Sequence, residues 1–225
     1  MVKKLGVLFS GGKDSVYATY LAKKEGYSIE CLISLNSKNK ESYMFHTPSI
    51  DKTKKQAEVM GIPLIVQKTE GKKEKELEDL KKAIFRAKKE FGIKGIVSGA
   101  IKSAYQASRI QEICFELNLE VYNPLWQKDE KKYLIELLEN NFETILVGVF
   151  AYPFNQSWLL RKIDEKFIHE ITLLNEKYQI NVAGEGGEFE TFVLNCPLYF
   201  RSLKVVSKET FVEGENSFRA EVEIE

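Results

Sequence analysis

The chain has 225 residues, 44% of them hydrophobic, and its 33 Lys plus Arg balance 33 Asp plus Glu for a formal net charge of zero. Such a chain is globular rather than disordered, and it lacks the overall basicity with which a protein holds nucleic acid by charge alone. The length allows one large α/β domain, or a nucleotide-binding domain carrying an appendage of roughly 60–80 residues. Cys31, Cys114 and Cys196 are far apart, with no C-x-x-C pair for a zinc knot or redox dithiol, and are expected as buried, reduced thiols. The apolar run Leu5–Phe9 behind the amino terminus is too short for a signal peptide or a membrane span, so no membrane association is expected and the cytoplasm is the expected compartment.

In chain order, apolar runs of five to eight residues alternate with longer helical patterns, the arrangement of βαβ units around a doubly wound, mostly parallel sheet. The strand candidates are Leu5–Phe9, Ile29–Leu35, Pro63–Gln67, Gly95–Val97, Leu119–Tyr122 and Thr144–Val149. Helices are expected between them. The clearest spans Lys72 to Phe91, where Leu77, Leu80, Ile84, Ala87 and Phe91 recur at steps of three and four and leave a dense Lys and Glu face for solvent. After Phe150 the rhythm breaks at Tyr152-Pro153-Phe154, which predicts a nucleotide-binding domain over 1–150 and a smaller α+β substrate region over 151–225. That region should hold a helix from about Asp164 to Tyr178 and an antiparallel addition built from Leu203–Val206 and Phe218–Ile224.

The first turn carries the strongest chemical signal. Ser10-Gly11-Gly12-Lys13-Asp14-Ser15 lies between the first strand and the first helix, where backbone N–H groups and the helix dipole together make an anion site. Gly11 and Gly12 allow the backbone close to phosphate oxygens, Ser10 and Ser15 offer hydroxyls, and Lys13 adds a positive charge. Asp14 repels a phosphate directly but fits one through a bridging Mg²⁺. The loop departs from the Walker A pattern, since the position five before Gly12 is Val7 and Lys13 is followed by Asp14.

A second loop, Gly184-Glu185-Gly186-Gly187-Glu188-Phe189-Glu190-Thr191, sets acids among glycines. It suits a cationic ligand, a metal or polar positioning of a substrate, and a turn with solvated acids fits equally well. His46 falls near the end of the second strand, at the edge where parallel sheets take ligands, and His169 falls within a helix as a surface residue. Trp126, after Pro124-Leu125, reads as a packing residue, and Cys196 has no base beside it for thiol chemistry.

The S-G-G-K-D-S loop resembles the PP-loop ATP pyrophosphatases. Over nearly the whole chain the pattern is similar to the diphthine–ammonia ligases of that superfamily. The matching segments are the two loops, Ser42-Tyr43-Met44-Phe45-His46-Thr47, Gly99-Ala100-Ile101 through Ser103, Tyr105, Gln106 and Arg109, and Pro124-Leu125-Trp126. Ala104 and Ala107 stand where that family usually has Asp and Arg.

The resemblance implies a Rossmann-like fold of the adenine nucleotide alpha hydrolase type, with ATP and Mg²⁺ as cofactors. Ser10, Gly11, Gly12, Lys13, Asp14, Ser15, His46 and Gly99 would bind the nucleotide, and Asp14 the metal. Tyr105, Gln106, Arg109, Glu185, Gly186, Gly187, Glu188, Glu190 and Thr191 would bind the acceptor. Lys13, Asp14 and Glu188 would be catalytic. The implied partner is diphthine-bearing translation elongation factor 2, whose carboxylate becomes an acyl-adenylate and then an amide. The acids of the second loop would offset the trimethylammonium group beside an aromatic face, Phe189 or Tyr105. With Met1-Val2 in place of an amino-terminal cysteine, free ammonium is the expected nitrogen source. A homodimer is compatible with this reading and nucleic acid is not an expected partner. Two rivals remain: a tRNA-modifying enzyme that adenylates a base, and a non-enzymatic ATP sensor.

Overall fold

The computed structural model describes residues 2–37, 50–70 and 73–225 in two compact units, Met1–Trp126 and Gln127–Glu225. The segment around His46 lies outside the described residues.

In the first unit β1 (Lys4–Leu8), β2 (Ser28–Ser37), β3 (Leu64–Thr69), β4 (Gly95–Val97) and β5 (Glu120–Tyr122) form one parallel sheet in the order β3-β2-β1-β4-β5. The connecting helices are α1 (Lys13–Lys24), α2 (Ile50–Met60), α3 (Lys73–Phe91) and α4 (Ala104–Glu116). The chain winds outward from β1 to β3 and then crosses back to β4. With right-handed crossovers this puts α1 and α2 on one face and α3 and α4 on the other, so the sheet is doubly wound.

The two-residue period of β2 shows the layering. Cys31, Ile33 and Leu35 join Leu80, Ala83, Ile84 and Ala87 of α3 and Ile110, Ile113 and Cys114 of α4 in one buried core, while the intervening Ser34 sends its Oγ–H to the Phe9 carbonyl at 2.6 Å. The α3 stripe expected from the sequence is thus the buried one, with Leu77 and Phe91 packed at its margins. Strand order reverses between β1 and β4, and that switch point opens a crevice at their carboxyl ends.

The second unit is an antiparallel sheet, β7-β6-β9-β8, made of β6 (Glu143–Val149), β7 (Phe189–Asn195), β8 (Val205–Gly214) and β9 (Ser217–Ile224), with helices α5 (Glu130–Glu139) and α6 (Glu165–Tyr178). Two expectations are corrected here. Thr144–Val149 is not a strand of the parallel sheet, and the division falls at 126/127 rather than 150. After its first residue β6 is buried throughout, so it reads as the continuous apolar run of a parallel strand, and only its partners β7 and β9 show that it is antiparallel. The strand expected over Leu203–Val206 instead runs from Val205 to Gly214, because β8 is exposed along all ten residues and has no apolar face to read.

A cluster of perpendicular aromatic rings fixes the start of β7. Phe154 meets Trp158 and Phe189 at 5.0 and 6.2 Å, and Phe167 meets Trp158 and Phe189 at 5.9 and 5.8 Å between centroids.

Candidate active site

The turn Ser10–Ser15 sits at the switch point, between β1 and α1. Gly11 has φ +80, a left-handed conformation suited to glycine. A Cβ on it would lie 2.2 Å from Gln56 Oε1. Gln56 is fully buried on α2 and donates from Nε2 to the Gly11 carbonyl at 2.9 Å, with buried Thr53 beside it. Ser15 Oγ donates to the Gly12 carbonyl at 3.1 Å, accepts the Ser10 N–H at 3.3 Å and lies 3.2 Å from Ser10 Oγ. Lys13 is buried, its Nζ 3.0 Å from Asp14 Oδ2, and the Asp14 side chain is 30% exposed. The loop therefore carries a fixed positive charge beside a reachable carboxylate.

The helix behind the loop is unlike the other α-helices whose N-caps are described. Ser103, Asp129 and Asp164 cap α4, α5 and α6 by accepting from Gln106, Lys132 and Phe167 N–H at 3.3, 2.8 and 2.7 Å. At α1 the N-cap is Gly12, which supplies no side-chain bond. An uncapped helix start beside a buried lysine attracts phosphate.

Gly99, in the turn after β4, closes the other side of the crevice. A Cβ there would lie 2.8 Å from the Asp14 carbonyl carbon and 3.0 Å from Ser15 N. The absence of a side chain is what lets the two turns touch. The same turn leads into α4, where Tyr105, Gln106 and Arg109 are half-buried. Arg109 pairs with Glu112 at 2.8 Å and stacks 5.5 Å from the Tyr105 ring centroid.

In the second unit the acidic loop is a closed structure. Glu188 Oε1 accepts Asn181 N–H and Oε2 accepts Gly186 N–H, each at 2.9 Å. Both carboxylate oxygens hold the loop's own backbone, so Glu188 shapes the loop. Gly184 and Gly187 have φ +75 and +83, and Glu185 and Gly186 lie between them. Glu190 and Thr191 are on β7 rather than in the loop. Glu190 pairs with Arg219 at 3.7 Å, and Arg219 also reaches Glu213 at 3.3 Å and lies over the Phe150 ring at 5.4 Å. Phe189 is buried in the aromatic cluster, which removes it as an open face for a cation. Trp126 is 38% exposed, against the packing role expected of it, whereas its neighbour Leu125 is fully buried. Burial pushes the Cys31, Cys114 and Cys196 thiols up to about 12, so none is a ready nucleophile. His169 is exposed on α6.

Two sequence families of the diphthamide synthases, the N-terminal and C-terminal domain models, match residues 3–121 and 129–223. The chain belongs to the diphthamide synthase family. The diphthine–ammonia ligase of Danio rerio is 32% identical over 94% of this chain and 89% of its own length. That of Homo sapiens is 31% identical over 96% and 87%. Among solved structures, one described as a "predicted subunit of tRNA methyltransferase" from Methanocaldococcus jannaschii aligns over 87% of this chain and 98% of that one at 20% identity and a TM-score of 0.45, too loose a likeness to carry an argument. As a member of this family the chain is an ATP-dependent ligase. Among the described residues no helix is long and apolar enough to cross a membrane.

The sequence reading missed Gln56, Thr53 and Asn181. Thr53 and Gln56 carried a signal, since they share the buried helical face of Ala57 and Met60, and polar residues at core positions of a helix point to a partner inside.

Proposed function

We propose that the chain converts diphthine on translation elongation factor 2 to its amide, consuming ATP and free ammonium and releasing AMP and pyrophosphate. The observation that carries the ATP half is the uncapped start of α1, with buried Lys13 and part-exposed Asp14, pressed against Gly99 at the switch point. The family carries the acceptor half, because the matched relatives are named diphthine–ammonia ligases.

In this reading the diphthine carboxylate oxygen bonds to the α-phosphorus as the bond to the bridging oxygen breaks, and pyrophosphate leaves with that electron pair. Ammonia then bonds to the acyl carbon, AMP departs, and the nitrogen loses a proton to leave the neutral amide. A carboxylate is a poor electrophile, and the mixed anhydride supplies the leaving group it lacks.

Ser10 to Ser15 bind and orient the β- and γ-phosphates, and Lys13 stabilises charge gathering on the departing pyrophosphate. Asp14 fits a Mg²⁺: it is a single part-exposed carboxylate, and no group of three or more metal-ligating side chains is present among the described residues, so phosphate oxygens would complete the ion's shell. When bound, the ion neutralises phosphate charge. Tyr105, Gln106 and Arg109, and the Glu185–Thr191 segment, are proposed to receive the acceptor. A translation factor as acceptor implies the cytoplasm.

The test is incubation with Mg-ATP, ammonium chloride and diphthine-bearing elongation factor 2. AMP release with the mass change from carboxylate to amide is expected, and glutamine should add nothing. ATP binding without AMP formation in the presence of that acceptor would overturn the acceptor assignment.

A further inference from the structure

The 181–188 loop is organised from its first residue. Asn181 Oδ1 accepts the N–H groups of Ala183 at 2.9 Å and Glu185 at 3.1 Å, and its own N–H goes to Glu188 Oε1. Its Nδ2 donates to Glu130 Oε1 at 2.8 Å, and Glu130 is the first residue of α5. Gly184 N–H returns to the Asn181 carbonyl and Gly187 N–H to the Gly184 carbonyl, each at 3.1 Å, while Gly186 N–H meets Glu188 Oε2. The N–H groups of residues 181 and 183–187 therefore all end on acceptors within the loop. This is the reverse of an anion-binding nest, whose N–H groups point at the ligand. With those N–H groups spent on the loop itself, a ligand finds few donors for phosphate or carboxylate, and the loop's acidic sequence suits a cation.

We propose that Asn181, tethered by Glu130, is a positioning residue for the acceptor substrate. Through the folded loop it presents an acceptor surface to the cationic end of that substrate and has no part in holding ATP. This rests on the proposed function. The amide side chain is the right group because it must accept from two N–H groups and donate to a carboxylate at once. Alanine does neither. Aspartate accepts but cannot donate, and it faces Glu130 with like charge.

The experiment compares wild type, Asn181→Ala, Asn181→Asp and the swap Asn181→Asp/Glu130→Gln, in which the amide introduced on α5 donates and the carboxylate introduced in the loop accepts. Steady-state AMP formation is measured against ATP and against diphthine-bearing elongation factor 2, alongside Tm and deuterium uptake over residues 180–189. Asn181→Ala is expected to raise the KM for the protein acceptor about tenfold or more with the KM for ATP unchanged, and to speed deuterium uptake in the loop. Asn181→Asp alone should be impaired, and more so as pH rises through the carboxylate range, while the swap should lie nearest to wild type. An unchanged acceptor KM, equal shifts in both KM values, or a swap no better than Asn181→Asp would each overturn the proposal. If wild type itself does not amidate diphthine, the proposed function fails. Deuterium uptake then decides the loop-holding part alone: uptake unchanged in Asn181→Ala overturns it, and faster uptake restored by the swap upholds it.

Discussion

The two glycine-rich loops differ in how many of their own N–H groups they engage. The Ser10–Ser15 turn gives its Ser10 and Gly12 N–H groups to its own hydroxyls but begins a helix that no side chain caps, whereas the 181–188 loop turns the N–H groups of residues 181 and 183–187 onto Asn181, Glu188 and its own carbonyls. The first is proposed to receive an anion and the second a cation. Glycine content alone does not distinguish them. Where the side-chain acceptors fall does.

Three variants put that contrast at risk. Lys13→Ala removes the buried charge of the open loop, and kcat/KM for AMP formation should fall on the order of 10²- to 10³-fold. A loss of less than about tenfold would deny Lys13 its part in the chemistry. Gly99→Val drives a side chain into the Asp14–Ser15 backbone. Calorimetric titration should show weaker ATP binding, and thermal melting a loss of about 1–3 kcal/mol, as for an overpacked site.

Glu188→Gln strikes the closed loop. A glutamine offers one acceptor oxygen where two N–H groups need one each, and about tenfold weaker use of the protein acceptor is expected with ATP binding untouched. Weaker ATP binding in this variant would erase the contrast between the loops.

The smallest effect is on the thiols. Cys31 and Cys114 lie in the first unit and Cys196 in the second, all buried and all raised by that burial from 9.0 to about 12. In the folded protein at pH 8 none should react with a thiol reagent. The folded state keeps these protons where the unfolded chain releases them, so the stability they contribute is complete below pH 9.0 and is lost as pH climbs toward about 12. Labelling along a urea gradient, with the modified peptides identified by mass, should show whether Cys196 opens apart from the other two.

The parallel sheet was legible because burial on both faces leaves apolar runs between helical stripes, and the phosphate turn because Gly11, Gly12 and Lys13 follow such a run directly. The second unit was harder for two opposite reasons. Strand β6 is too well buried to declare its direction, and β8 is too exposed to show a face at all. At the site, residue types placed the Ser10–Ser15 turn between β1 and α1, as the structure has it, but they could not reveal that Glu188 faces its own backbone or that Glu190 has Arg219 for a neighbour. Such pairings join residues across a turn or between strands, and composition carries no trace of them.

Gly12 holds φ −76 and ψ 167, the extended geometry in which serine or aspartate ordinarily caps a helix. A capping residue at that position would raise the melting temperature of the free protein, by about 1 kcal/mol in stability, and would seat its oxygen where phosphate belongs. Selection for heat resistance alone, blind to turnover, should therefore favour Gly12→Asp and return a sturdier protein that no longer takes its nucleotide.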